Sequence, residues 1–280
     1  MIQYSVKGCD VFRMEMMTKM KLCFSTLGCP DWNLARIAER AKHYGFDGVE
    51  LRIGGEKHID PALSPDQRAG IKRLFAEAGL AIASVGGYTQ FAGIDNPAVK
   101  EQCDRLIRNV NLARDIGAPC VRTFIGEGDG GKVSAYGVAS LREACDWAHA
   151  QGVTVLIETH DALSAGKQVK VLLDAIGSAG LGILWDIHHT VRAGETPEET
   201  CALLGTAIKH VHLKDAGANH ALRLPGDGIL PIGEAVRALA RHGYDGFLSF
   251  EWEKMWVPDL QEPEVAFPRY IEHMRLMRHT

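Results

Sequence analysis

The sequence predicts an α/β fold in which a single domain forms a (β/α)8 barrel, also called a TIM barrel. Short apolar runs rich in β-branched residues alternate with amphipathic helical patterns along the chain. Eight such runs are found, and eight strand–helix units close into a barrel. The length of 280 residues also suits this fold, because barrels of roughly 250 residues fold as one domain.

The predicted strands are nearly continuous apolar runs. Strands of a parallel sheet covered by helices are buried on both faces, so their sequences show little alternation. In chain order the runs are KLCFST (21–26), GVELR (48–52), LAIASV (80–85), PCVRTF (119–124), VTVLIET (153–159), GILWDI (182–187), IKHVHLK (208–214) and GFLSFE (246–251).

Amphipathic helices are predicted between these strands. In residues 33–45, Leu34, Ile37 and Ala41 lie on one apolar face and Gly45 ends the helix. Because parallel strands need crossover connections, such helices are what a barrel requires. Similar patterns cover residues 65–79, 97–117, 138–152, 169–180 and 231–243.

An open, doubly wound sheet would show the same alternation of strands and helices. A dinucleotide-binding member of that class should carry G-x-G-x-x-G after its first strand, whereas TLGCPDW (26–32) stands there. The glycine-rich IGEGDGG (125–131) lacks the Gly-Lys-Ser/Thr of a phosphate loop. These differences favour the barrel.

Composition argues against several classes of partner. A net charge of −4 offers no basic excess to a nucleic acid, and no apolar stretch approaches the ~18–20 residues of a membrane span. The seven cysteines include no CxxC pair, which is typical of free thiols in a reducing cytoplasm. We therefore expect a cytoplasmic protein that binds neither nucleic acid nor membrane.

The barrel domain is predicted to span residues 21–280. Residues 1–20 contain five methionines and lack the apolar region and cleavage site of a secretory signal. We interpret them as an N-terminal extension, disordered or left by an upstream start codon, with Met17 and Met20 as candidate starts.

Polar side chains stand where the last four predicted strands end. Because a barrel gathers these ends at one face, where active sites lie, we expect the side chains to meet. One of them alone would be a capping or ion-pairing residue, but a matching position on four successive strands indicates a metal site. The strands end in Glu158 and His160, in Asp186, His188 and His189, in His210, His212 and Lys214, and in Glu251.

Carboxylate oxygens with one imidazole suit Mn²⁺, Mg²⁺ or Co²⁺, with Zn²⁺ as an alternative. Other charged residues lie near the predicted strand ends, and their roles are interpreted as follows. Lys214 either belongs to the site or forms a surface ion pair with Asp215. Glu50 is interpreted as structural, and Arg52 and Arg122 either reach the barrel mouth or are structural.

Four segments, in this order on the last four strands, resemble the xylose isomerase-like superfamily of sugar isomerases and epimerases: ETH (158–160), WDIHH (185–189), HVHLKD (210–215) and FEWEK (250–254). The resemblance extends from Lys21 to the C-terminal region. In the ketose 3-epimerases and hydroxypyruvate isomerases of this superfamily, one divalent cation, often manganese, is bound by a Glu, an Asp, a His and a Glu. The resemblance implies that Glu158, Asp186, His212 and Glu251 are the corresponding ligands.

The resemblance also implies substrate contacts. A family histidine three residues after the aspartate maps to His189, and an arginine after the seventh strand maps to Arg223. Strand alternation instead favours His188, but we prefer His189 because the strand is ending there. ETH and FEWEKMW depart from the ketose 3-epimerase pattern, so the particular substrate is left open. The predicted substrate-binding residues are His160, His188, His189, Lys214 and Arg223.

The activity implied is a metal-dependent isomerase or epimerase acting on a small sugar or a polyol-derived carbonyl compound. Glu158 and Glu251 would serve as base and acid, removing a proton next to the carbonyl through a metal-bound enediolate. Loss of a β-hydroxyl instead would make the enzyme a dehydratase or lyase on a keto-sugar or inosose. No phosphate-binding motif is evident, which favours an unphosphorylated substrate.

Two other classes are considered. An enzyme resembling the DNA-repair endonuclease IV would need three zinc ions and more histidines, but the first three strands supply Ser25, Glu50 and Ser84. A non-catalytic binding subunit is opposed by the intact ligand set. Barrel helices also offer surfaces for homo-oligomerisation, although no sequence feature requires it.

Overall fold

Eight parallel strands form one barrel in the computed structural model, which describes residues 19–54 and 58–277. In the order in which they pair, the strands cover residues 21–24, 247–250, 208–213, 181–186, 154–158, 120–123, 81–86 and 48–52, and a bridge between Ser25 and Glu50 joins the two edges of the sheet. The predicted barrel is confirmed. The strands are β1 (Lys21–Phe24), β2 (Gly48–Arg52), β3 (Ala81–Gly86), β4 (Cys120–Thr123), β5 (Thr154–Glu158), β6 (Leu181–Asp186), β7 (Ile208–Leu213) and β10 (Phe247–Phe250), with a small hairpin of β8 (Asp215–Ala216) and β9 (Leu222–Arg223).

Helices cover the outside of the barrel, as predicted. They are α1 (Leu34–Tyr44), α2 (Pro65–Ala78), α3 (Asn96–Ile116), α4 (Ala135–Ala150), α5 (Gly166–Ile176), α6 (Ile187–Arg192), α7 (Pro197–Leu204), α8 (Ile232–Arg241) and α9 (Pro263–Met277). Each of α1, α2 and α3 ends at a left-handed glycine, because a residue without Cβ reverses the chain there at little cost. No described helix is long and apolar enough to cross a membrane.

Three features differ from the sequence interpretation or extend it. β1 stops at Phe24 because Thr26–Gly28 forms a 3₁₀ turn, which Ser25 caps through its side chain. The predicted N-terminal extension lies mostly outside the described residues, but Met20 is buried in the core. Helices α6, α7 and α9 and the hairpin were not predicted.

Inside the barrel, β4, β5 and β6 contribute two successive layers of side chains. A small apolar cluster of Cys120, Leu156 and Leu184 is separate from the main core. One inward position further along their strands stand Arg122, Glu158 and Asp186, all buried, because successive inward positions are two residues apart. Polar side chains therefore occupy the mouth above an apolar base.

The main core lies between the strands and the helices. Helix α9 packs against both β1 and β10, the first and last strands of the barrel. The Phe267 ring packs 4.2 Å from that of Phe24 on β1, and Tyr270 stacks on Phe250 of β10 at 4.8 Å. The C-terminal helix thus supports the two strands that precede Ser25 and Glu251. The six cysteines in the described part of the chain are free and buried.

We expect Phe267→Ala to lower the free energy of unfolding by about 3–5 kcal/mol, because it removes a buried ring and leaves a cavity. Val265→Ala, at a position 47% exposed on the same helix, should change it by no more than about 0.5 kcal/mol. Urea denaturation followed by circular dichroism measures both, and equal effects would contradict the packing role of α9.

Candidate active site

Four predicted side chains meet at the C-terminal mouth of the barrel. Glu158 ends β5, Asp186 ends β6, His212 lies in β7 and Glu251 directly follows β10. One ligand atom from each lies within 4.8 Å of the others, and all four residues are buried. Asp186 and His212 are also direct neighbours in the register of β6 and β7. We call this set the carboxylate–histidine cluster.

Asp186 has two separate tasks at the end of β6. Its Oδ1 atom accepts hydrogen bonds from the backbone N–H groups of His188 (2.8 Å) and His189 (3.4 Å) and so caps α6. Its buried Oδ2 atom accepts no hydrogen bond in the described part of the chain, although the Lys214 ammonium lies 2.9 Å away. This second oxygen is available to a ligand.

The structure adds Glu50, which sequence reasoning interpreted as structural. Its Oε2 atom lies 2.7 Å from Nε2 of His210 and 2.9 Å from Nε2 of His212. On the other edge of the His212 ring, Nδ1 is 3.2 Å from Oε1 of both Glu158 and Glu251. An Nε2–H donated to Glu50 leaves the Nδ1 lone pair directed at the cluster.

Two buried cations hold the carboxylates. Arg122 lies with Nη1 3.1 Å from Glu158 and 3.8 Å from Glu251, so it reaches the mouth. Lys214 contacts Asp186 at 2.9 Å and Glu251 at 2.5 Å. Its side chain is 1% exposed, so the alternative of a surface ion pair between Lys214 and Asp215 is wrong.

Asp215 instead organises the loop after β7. Its carboxylate accepts hydrogen bonds from the backbone N–H groups of Gly226, Gly228 and Leu230. A carboxylate that satisfies buried backbone donors in this way has a structural role.

The electrostatics of the cluster follow from its burial. Burial disfavours a charged imidazole, but the three surrounding glutamates outweigh this and raise the pKa of His212 well above its ordinary value. Burial acts against the charged form of Glu251 also, yet His212 and Lys214 hold its pKa well below its usual range. In the same way Lys214 and His189 lower the pKa of Asp186. Asp186 and Glu251 are therefore ionised at neutral pH.

Two of the predicted histidines, His160 and His189, form the rim of the mouth. Nε2 of His189 is 3.8 Å from Oδ2 of Asp186, and the rings of His160 and His189 are 4.3 Å apart. Both histidines line a cavity of about 420 Å³ with Glu127 and Arg192. Because α6 begins at Ile187, strand alternation ends at Asp186, which is why His189 rather than His188 faces this cavity.

His188 and Arg223 lie elsewhere. His188 is buried with no hydrogen bond to Nε2 in the described residues, and burial lowers its pKa to about 4. Arg223 is exposed on β9, opposite Asp215 in the hairpin register. Within the described residues Arg223 forms no hydrogen bond or ion pair with the carboxylate–histidine cluster, so its substrate-binding role stays a prediction.

A barrel with a polar cluster at the carboxyl ends of its strands has the architecture of a barrel enzyme. The model of the xylose isomerase-like TIM barrel family matches residues 38–277. The chain belongs to this family.

Relatives within the family differ in activity. The chain is 25% identical to fructoselysine 3-epimerase of Shigella flexneri, over 92% of this chain and 98% of that protein. It is 28% identical to inosose dehydratase of Bacillus thuringiensis, over 43% of this chain and 45% of that protein. The crystal structure of the IolI protein with a bound zinc atom superposes with a TM-score of 0.73 at 18% identity, covering 92% of this chain and 96% of that one, and shows the shared fold.

We expect a divalent cation to compete with a proton for His212. Because the pKa of His212 is raised, the metal-free protein holds this proton at neutral pH, and apparent metal affinity should fall as the pH falls. Calorimetric titration with Mn²⁺ in buffers of different ionisation enthalpy should show release of about one proton per ion near pH 7. Metal binding without proton release would contradict the assignment of the His212 Nδ1 lone pair as a metal ligand.

Proposed function

We propose that this protein is a divalent-metal-dependent enzyme of the isomerase or epimerase kind that acts on a small sugar or a polyol-derived carbonyl compound. The observation that carries the proposal is the set of four buried ligand atoms, within 4.8 Å of one another, from Glu158, Asp186, His212 and Glu251. The whole-length similarity to a 3-epimerase supports the class of activity.

The donor set fits one divalent cation in both size and charge. Ligand atoms about 2.0–2.2 Å from one ion lie at most about 4.4 Å apart, so small side-chain movements suffice. Glu50, Glu158, Asp186 and Glu251 are buried carboxylates, and they face two permanent cations, Arg122 and Lys214. One divalent ion, with His212 neutral, would balance this buried charge.

Oxygen-rich ligands with one imidazole suit Mn²⁺ best, with Mg²⁺, Co²⁺ and Zn²⁺ as alternatives. Zinc in the IolI structure supports the last of these. When bound, the cation would supply Lewis-acid stabilisation for the negative charge that develops on a substrate carbonyl oxygen.

The chain's own residues supply the proton transfer. We assign Glu158 and Glu251 as base and acid for the carbon next to the carbonyl, each contributing about 10²–10⁴-fold. Arg122, 3.1 Å from Glu158, and Lys214, 2.5 Å from Glu251, hold these carboxylates in position. His160 and His189 line the adjoining cavity, where they can donate hydrogen bonds to substrate hydroxyls.

A dehydratase is the second candidate function. It begins with the same proton removal and differs in expelling a β-hydroxyl group. The similarity to inosose dehydratase over 43% of this chain supports it. An endonuclease is disfavoured because the buried residue that follows β1 is Ser25 and a buried residue within β3 is Ser84, where histidines would be needed. The buried free cysteines are consistent with a cytoplasmic enzyme.

The test of this function is deuterium exchange followed by proton NMR. The protein with Mn²⁺ in heavy water is incubated with ketoses, keto-acids, inososes and 3-keto-glycosides. One carbon-bound proton signal of the substrate should disappear, and the product separates epimerase, isomerase and dehydratase. Glu251→Gln should slow exchange by about 10²–10⁴-fold, whereas Glu272→Gln, at an exposed position of α9, should not. Undiminished exchange in a metal-free Glu158→Gln/Glu251→Gln variant would refute the mechanism.

We also expect metal and activity to be lost together in Asp186→Asn and in His212→Ala, because each removes a ligand from a buried site. Metal content of the purified variants, measured by mass spectrometry alongside activity, checks this. Full activity without bound metal would contradict the proposal.

Glu50→Gln should weaken metal binding by about 10–100-fold, because partners that orient a ligating histidine have effects of this size. Titration with Mn²⁺ measures the change. Glu39→Gln, an exposed position on α1, provides the control, and equal affinity in all three proteins would leave Glu50 with a structural role.

A further inference from the structure

A second cavity is lined by residues that follow β2 and β3 and by residues of α3. It has a volume of about 490 Å³ and opens between the ends of β2 and β3 and the helix α3. Tyr88 forms the wall on the β3 side, and α3 contributes Arg105, Arg108 and Asn109. We call it the α3 cavity.

The α3 cavity is rich in hydrogen-bond donors that lack partners. Arg105 and Arg108 stand one helical turn apart, and neither pairs with a carboxylate in residues 19–54 and 58–277. Asn109 is only 7% exposed, yet its side-chain amide has no hydrogen-bond partner among these described residues. The Tyr88 hydroxyl is likewise without a partner in this part of the chain.

Acceptors in the α3 cavity are few. The acidic residue that lines it is Asp60. The Oδ1 atom of Asp60 already accepts a hydrogen bond of 2.7 Å from the backbone N–H of Ala62. Two guanidinium groups, each a planar fork of donors, therefore give the cavity a positive charge and the geometry that suits carboxylate or phosphate oxygens.

Tyr88 connects this cavity to the proposed reaction site. The guanidinium carbon of Arg122 lies 4.9 Å from the centre of the Tyr88 ring, and Arg122 in turn is 3.1 Å from Glu158. A substrate whose carbonyl end lies at the carboxylate–histidine cluster would therefore need to extend past one aromatic ring to reach Arg105 and Arg108.

We propose that the α3 cavity binds an anionic group, a carboxylate or a phosphate, at the far end of the substrate. If so, the substrates of the proposed enzyme carry an acidic group. The identification of the bound anion as part of the substrate rests on the proposed function. It reverses the preference for an unphosphorylated sugar that the missing phosphate loop suggested. Side-chain guanidinium groups, rather than backbone N–H groups of a glycine-rich loop, would bind the anion.

Anion binding is measured first with inorganic phosphate as the probe, by ³¹P NMR line width on the Mg²⁺-loaded protein. We expect the dissociation constant to rise at least about tenfold in Arg105→Gln/Arg108→Gln, since charge-assisted hydrogen bonds are lost. Arg73→Gln, an exposed arginine of α2 outside the cavity, should bind as the unchanged protein does. The dissociation constant of Arg105→Lys/Arg108→Lys should lie between those of the unchanged protein and the double glutamine variant, because lysine keeps the charge but lacks the planar fork of donors.

A chelator separates the α3 cavity from the metal. Phosphate binding that persists without metal and disappears in the double glutamine variant supports the proposal. Phosphate binding that disappears with the metal, or that is equal in all four proteins, overturns it. Acetate in competition with phosphate shows which anion the cavity prefers.

The second arm compares a neutral ketose with its terminal phosphate and with a ketose bearing a terminal carboxylate. In Arg105→Gln/Arg108→Gln, KM for the anionic substrate should rise at least about tenfold while its kcat stays the same. Both constants for the neutral ketose should be unchanged. This pattern is expected when an interaction that is equally strong in the ground state and the transition state is lost. An equal KM increase for the neutral ketose would contradict the proposal. Should no ketose react, the proposed function fails, while the phosphate titration still decides whether the cavity binds anions.

Discussion

The site depends on one constraint, the burial of four carboxylates at the mouth of the barrel: Glu50, Glu158, Asp186 and Glu251. Ionised groups cannot be taken out of water without compensating charge. Arg122 and Lys214 each contact two of these acids, and in the absence of metal a proton on His212 adds to their charge. With Glu50 counted among the four acids, three positive charges face four negative ones, and on our proposal this deficit favours a small divalent ion over a neutral ligand.

The barrel creates this constraint through simple geometry. Inward positions recur every two residues, so an apolar layer that includes Leu156 and Leu184 is followed by one that includes Glu158 and Asp186. The barrel also brings β2 across from β7, so that Glu50 and Glu158 approach opposite edges of the His212 ring. Orientation of this histidine is therefore a property of the closed barrel rather than of any one segment.

Features that depend on short-range sequence patterns could be predicted, whereas contacts between positions far apart in the chain could not. Apolar runs, helix-ending glycines and polar residues at strand ends recur at short range, and they predicted the barrel and the meeting of polar side chains from its last four strands. The choice of Glu158, Asp186, His212 and Glu251 among those side chains came from the resemblance to the family. The contact of Glu50 with His212 joins positions 162 apart, which no local pattern reveals. Lys214 was ambiguous because alternation gives its face but not its partner. Helix α9 was missed because Pro268 interrupts its pattern.

The central claim is that one divalent ion binds between Nδ1 of His212 and the three carboxylates of Glu158, Asp186 and Glu251. Anomalous diffraction at the manganese absorption edge, on crystals grown with Mn²⁺, tests it most directly. The account predicts one strong peak within about 2.0–2.3 Å of all four side chains, with Glu50 still bonded to Nε2 of His212. A peak on the other edge of the ring, between Glu50 and His210, or no peak within the barrel mouth, would contradict it.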